Sequence, residues 1–140
     1  MRSVDLDVDL AVTVQRLFGS IRRLSPPGLS LTAASTLATL EREGAHRLTE
    51  LAAKEGVTQP AMTQLVTRLE RDALAQRVPD PQDGRVVLVE ITQAGRDLLN
   101  HRRRARADKV NSLLAELPAA DRRAIESALP ALNRLADLIP

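Results

Sequence analysis

The chain has 140 residues, 20 Lys and Arg against 18 Asp and Glu, no Cys, and one Phe as its only aromatic residue. That length supports one domain with a real core, and the lack of Cys excludes a disulfide framework or a thiol redox sensor. No apolar run approaches the roughly 18 residues of a membrane span; the N-terminal MRSVDLDVD is not a secretory signal, so a cytoplasmic protein with no membrane partner is expected.

The first predicted element is a helix from Asp5 to Leu24. Leu10, Val14, Leu17, Ile21 and Leu24 recur at heptad-like spacing, with Phe18 beside them. Asp5, Asp7 and Asp9 alternate with apolar residues as a strand would. They also suit a helix start, where the dipole favours acids. Ser25-Pro26-Pro27-Gly28 stops this helix. A second is expected from Ser30 or Thr32 to Glu43, with Leu37 and Leu40 inward and Gly44 at its end. His46 to Leu48 are expected to form a short strand that pairs with a later hairpin.

The stretch from Leu48 to Ile91 organises the chain. It predicts two short helices joined by a tight turn, then a hairpin. Ala52, Gly56 and Met62 stand four and then six residues apart. They supply a small residue where the helices touch, a residue tolerant of positive φ at the corner, and an apolar contact on the second helix. Leu51, Val57, Met62, Leu65, Val66 and Leu69 form the apolar stripe. Thr58 is the expected N-cap, and Pro60 fits the first turn, where a missing N–H costs little. Gln59, Pro60, Thr63, Gln64, Thr67, Arg68 and Arg71 lie outside the stripe. The polar members of that set can hydrogen-bond base edges and phosphates. A merely solvated polar face is the alternative.

The hairpin follows as LAQRV, the turn-rich PDPQDGR, and VVLVEI. Val87, Val89 and Ile91 alternate, so one face of the return strand covers a core. Arg85 leaves the loop, and Asp83 stands two residues earlier to brace its guanidinium. An arginine at a hairpin tip suits the narrow, electronegative minor groove. The bland alternative is a surface ion pair.

Thr92 is expected to cap a long helix reaching about Leu117, with Leu98, Leu99, Val110, Leu113, Leu114 and Leu117 as its apolar positions. The intervening HRRRARADK is almost wholly polar, as a solvated face or a phosphate contact would be. Pro118 breaks the chain. A final helix from about Ala120 to Leu138 carries Ile125, Leu129, Leu132, Leu135 and Leu138 on one side. Pro130 inside it is expected to remove one hydrogen bond and kink it near Glu126. The ends of the chain carry more apolar surface than a small domain hides. A dimer core accounts for this better than an intramolecular three-helix cluster.

Nothing marks an enzyme. His46 and His101 lack ligand spacing to any partner, no Ser stands in a nucleophile motif, and no phosphate loop is present. No catalytic residue, metal or cofactor is expected. Nor is bulk charge an argument for nucleic acid. The formal net charge is only +2, although the pI is about 9.9. From Gly44 to Gly95 six bases face seven acids. DNA affinity must therefore come from where the bases are placed.

The chain resembles the MarR family of transcriptional regulators. The resemblance rests on Leu48-Thr49 with Leu51-Ala52, on Leu69-Glu70, on Arg77, and on Asp83-Gly84-Arg85 with Ile91-Thr92 and Gly95. Two positions depart from the family. Ala73 stands where Gly is frequent, which is expected to change the helix ending. Gly84 replaces a frequent second base at the hairpin tip, which is expected to weaken the phosphate grip or loosen the tip. The resemblance implies a mainly α fold with a small antiparallel β wing. In it a winged helix-turn-helix region at 30–97 is flanked by dimerisation helices at 1–29 and 98–140, all in one domain. It implies a homodimer on double-stranded DNA, expected to be a repressor on a palindrome with recognition helices about 34 Å apart. The DNA-facing residues would be Gln59, Pro60, Thr63, Gln64, Thr67, Arg68, Arg71, Asp83 and Arg85. It also implies a small aromatic or anionic effector, for which Phe18, Ile21, Leu37, Leu98 and His101 are the candidate pocket. The alternative function is a winged-helix protein–protein module without DNA binding.

Overall fold

Hydroxyl side chains cap two of the first four helices. In the computed structural model, which describes residues 5–140, α1 (Leu6–Leu24) follows Asp5, and α2 (Leu31–Glu43) follows Ser30, whose Oγ accepts the Ala33 N–H at 3.1 Å. Helix α3 (Leu48–Glu55) is short. Helix α4 (Gln59–Arg71) is capped by Thr58, whose Oγ1 accepts the Ala61 N–H at 3.2 Å. Strands β1 (Ala75–Pro79) and β2 (Val87–Ile91) pair antiparallel, from Ala75 opposite Ile91 to Pro79 opposite Val87. Helices α5 (Gln93–Leu114) and α6 (Ala119–Asp137) complete the order. This is the mainly α winged-helix architecture expected. Residues 1–4, with the start of the 1–29 segment and of the MRSVDLDVD stretch, lie outside the described residues.

The chain packs as two compact units, one ending at Arg106 and one from Ala107 to Pro140. The first holds the core. Leu37 and Leu40 of α2, Leu51 and Ala52 of α3, Met62, Val66 and Leu69 of α4, Ala75, Val89 and Ile91 of the sheet, and Leu99 of α5 are buried together. Each large side chain among them contributes about 1.5–3 kcal/mol by leaving water. Val57 and Leu65, the remaining members of the predicted stripe, are half-buried against this cluster.

Four local expectations are corrected. His46 to Leu48 do not form a strand. His46 alone bridges Val89, through reciprocal N–H···O bonds of 3.0 and 2.7 Å. Helix α3 begins at Leu48, which leaves no length for a ladder. Helix α5 ends at Leu114 and not Leu117. The Glu116 and Leu117 amides close tight turns to Leu113 and Leu114, both at 3.1 Å, because Pro118 disfavours helical backbone in the residue before it. Val87 is 49% exposed, so only Val89 and Ile91 of the alternating set face the core. Ala73 does not change the end of α4. It takes φ 60° itself. The Ala73 and Leu74 amides bond Glu70 and Leu69 carbonyls at 2.9 and 2.8 Å, the Schellman pattern that Gly usually closes. Pro130 lies within α6.

The end of α4 is tied to the start of α5. Thr92 Oγ1 accepts the Gly95 N–H at 3.1 Å and donates to the Ala73 carbonyl at 2.6 Å. The Thr92 N–H donates to the Leu74 carbonyl at 3.1 Å. A Cβ on Gly95 would collide with that carbonyl and lie 2.7 Å from Ile91 Cγ1. The Ile91-Thr92 and Gly95 motif is thus a packing junction.

Candidate nucleic-acid interface

The corner between α3 and α4 is built on Gly56. Its φ of 64° turns the chain after α3, while its N–H bonds the last carbonyls of that helix. The Val57 N–H returns to the Ala52 carbonyl at 3.1 Å. With Thr58 as cap and Pro60 in the first turn, α4 starts without an unmet need for the missing proline N–H. Gln59, Pro60, Thr63, Gln64, Thr67, Arg68 and Arg71 are all exposed. They recur at intervals of three and four residues, so they share one broad side of α4 opposite Met62, Val66 and Leu69.

The hydrogen-bonding capacity of that side differs from residue to residue. Thr63 Oγ1 donates to the Gln59 carbonyl at 3.0 Å, and Thr67 Oγ1 donates to the Thr63 carbonyl at 2.8 Å. Their hydroxyl protons serve the helix, which leaves lone pairs and methyl groups outward. The amides of Gln59 and Gln64 keep both donors and acceptors. Among the described residues Arg68 and Arg71 have no ion-pair partner. Gln64 and Arg68 stand on the α2 side of α4 and not at the middle of its exposed side. With Ser30, Thr32 and Leu65 they line a groove of about 380 Å³.

Most acids of this region are held by local donors, whereas Asp72, beside Arg71, lies exposed on the groove of Gln64 and Arg68. Glu70 pairs with Arg77, which joins the last turn of α4 to β1. Glu55 accepts the Ser35 hydroxyl at 2.8 Å, Glu90 accepts Gln76 Nε2 at 2.6 Å, and Asp80 accepts the Gln82 N–H at 2.9 Å. Lys54 bonds Glu43 at 3.2 Å and holds that carboxyl below the usual carboxylate range. Arg77 and Lys54 are thus occupied, while Arg68 and Arg71 are available, a distinction that the charge count of the region does not make.

The tip of the wing presents a single cation. Between β1 and β2 the Asp80 N–H bonds the Val86 carbonyl at 2.8 Å, and the Val86 N–H bonds the Asp83 carbonyl at 3.0 Å. Asp83 Oδ1 accepts the Arg85 N–H at 3.1 Å and lies 3.6 Å from Arg85 Nε. The Arg85 side chain is 96% exposed. An ion pair this exposed adds little stability; it orients the side chain at the tip.

The five residues predicted for an effector pocket do not line this groove. Leu37 is fully buried in the core, Leu98 is half-buried, and Phe18, Ile21 and His101 are exposed. Among the described residues no cluster of His, Cys, Asp or Glu could hold a metal ion, and no helix is long and apolar enough to cross a membrane.

Known proteins match the same elements. The model of the MarR family matches residues 29–87. An uncharacterized HTH-type transcriptional regulator of Mycobacterium bovis, Mb0904, is 36% identical over 133 residues, covering 94% of this chain and 93% of that protein. The structure of RV1404 from Mycobacterium tuberculosis aligns with a TM-score of 0.79 at 26% identity, over 98% of this chain and 96% of that one. The PcaV transcriptional regulator of Streptomyces coelicolor, solved in complex with its natural ligand, aligns with a TM-score of 0.58 at 26% identity over the whole of both chains. With its helix-turn-helix corner, exposed polar α4 and hairpin wing, this chain belongs to the MarR family of DNA-binding transcriptional regulators, which are not enzymes.

Proposed function

We propose that two copies of this chain bind a palindromic operator as a homodimer, repress transcription from it, and release it when a small effector binds. The observation that carries the reading is the side of α4 that keeps Gln59, Gln64, Arg68 and Arg71 exposed and, among the described residues, without an ion-pair partner, while Glu70 and Glu55 are held by other donors. In this reading α4 enters the major groove. Its glutamines read base edges, its arginines meet phosphates, and Arg85 reaches the adjacent minor groove. Uncovered apolar faces support the dimer: Leu17, Phe18 and Ile21 on α1, and Leu129, Leu132 and Leu135 on α6, are exposed in the single chain. The ligand complex of PcaV supports an effector response. Repression from a chromosomal operator places the protein in the cytoplasm.

The test joins footprinting of the promoter beside its own gene with sedimentation of the complex. Two protected half-sites about one helical turn apart, with two chains per site, are expected. A reporter driven by that promoter should fall when the protein is expressed. One half-site with one chain, or a reporter that rises, would overturn the reading.

A further inference from the structure

Thr63 and Thr67 stand in the middle of a row on α4 that takes every fourth residue, opening with Gln59 and closing with Arg71. All four are exposed, and none of them lines the groove of Gln64 and Arg68. The row is chemically divided. Its ends carry an amide and a guanidinium, groups that hydrogen-bond outward. Its middle is turned the other way. Thr63 Oγ1 lies 3.0 Å from the Gln59 carbonyl oxygen, and Thr67 Oγ1 lies 2.8 Å from that of Thr63. A threonine Cβ bears one hydroxyl and one methyl. With the hydroxyl drawn onto the preceding turn and its proton spent there, the branch left for a partner is the methyl. An otherwise polar row thus offers two methyl groups, about 6 Å apart along the helix.

We propose that Thr63 and Thr67 recognise the C5-methyl groups of two thymines in each half-site of the operator. The inference rests on the proposed entry of α4 into the major groove. There the methyl of thymine is the feature that an apolar contact can select, with no hydrogen bond required. Cytosine lacks it. Uracil lacks it too, although uracil presents the same hydrogen-bonding edge as thymine. Gln64, whose amide suits adenine, and the two threonines then favour A·T pairs by different means: the first through a donor and an acceptor, the second through apolar contact alone.

The experiment replaces each thymine in turn by uracil in the duplex that the wild-type chain enriches from a random-sequence library. Two positions per half-site should respond. Loss of one buried methyl contact lowers affinity about fourfold, and about 15-fold when the same position is replaced in both half-sites. Thr63→Ser keeps the hydroxyl and removes only the methyl. It should weaken binding to the thymine duplex by the same factor and abolish the uracil penalty at one of the two positions. Thr67→Ser should do so at the other. Thr63→Val keeps a methyl and should retain the penalty. Three results would overturn the proposal: uracil tolerated at every position, a penalty of equal size in the Ser variants, or a penalty that survives Thr63→Ser and disappears with Thr63→Val, which would assign recognition to the hydroxyl oxygen. A library that yields no enriched duplex would defeat the operator reading itself, and this one with it.

Discussion

In the proposed reading, Gln64 is the residue on which base recognition turns. Its amide keeps both a donor and an acceptor, while Thr63 and Thr67 have given their hydroxyl protons to the helix. A glutamine bonded to adenine N6 and N7 discriminates by about 1–3 kcal/mol. Gln64→Ala should therefore relax preference at one position in each half-site, read as a flattened binding profile across single-base operator variants. A wild-type profile would show that Gln64 does not read a base. At Ala73 the expected change is in stability. Its left-handed backbone (φ 60°) costs a side chain about 1–2 kcal/mol, and the greater unfolded freedom of Gly returns about 0.4–1 kcal/mol of that. Ala73→Gly should stabilise the fold by about 0.5–1 kcal/mol, seen as a higher denaturant midpoint with an unchanged slope. Side-chain types and spacing were readable at this scale. The directions of the Thr hydroxyls and the partner of Arg77 were not, because rotamers and cross-element pairs leave no trace in spacing.

The wing is the element whose role is most open to measurement. Its tip carries Arg85 alone, since the neighbouring position is Gly84. An arginine held by minor-groove potential and by phosphates carries little base pattern. Arg85→Ala should weaken binding to operator and random DNA alike, with little change in rank order. With one phosphate fewer neutralised by each of two subunits, the salt slope should fall by about 2. Affinity measured over a range of salt for wild type and variant reads this directly. Unchanged slope and affinity would leave the hairpin as a cover for the core. Element types and most boundaries followed from periodicity and capping chemistry: Ser30, Thr58, Thr92 and Gly56 stand where the sequence places them. The end of α5 was misplaced because apolar spacing continued to Leu117, while Pro118 acts on the backbone of the residue before it. The strand at His46 shrank to one bridge because a neighbouring helix took its residues.

At the scale of the whole molecule the question is assembly. Neither α1 nor α6 has a buried residue in the single chain. Replacing Leu132 and Leu135 by Asp would place unpaired charges in the proposed dimer interface, a severe cost. The double variant should sediment as a monomer and lose specific DNA binding, while unit-one packing around Leu37 and Met62 survives. A wild-type monomer at micromolar concentration would remove the basis for the dimer. The apolar faces themselves were legible as Leu-rich helical stripes. The hydrogen bonds of Arg102 and Arg106 to Pro26 and Ser25 were not, because those partners stand more than seventy residues away in the chain. In sequence, HRRRARADK reads as a solvated face, and nothing in it separates the buried Arg102 and half-buried Arg106 from the exposed arginines.

The junction of Ala73, Leu74, Thr92 and Gly95 bears on how such regulators can be re-engineered. The hairpin is fastened at its base to the end of α4, while the hydrogen bonds of its tip run within the loop itself. Loop length and charge between Pro79 and Val87 are thus free to be exchanged with those of another wing. A transplanted α4, by contrast, must bring its own last turn, because that turn is keyed to the residue after the second strand. Chimaeras cut at the tip should fold, and chimaeras cut between Glu70 and Ala75 should not.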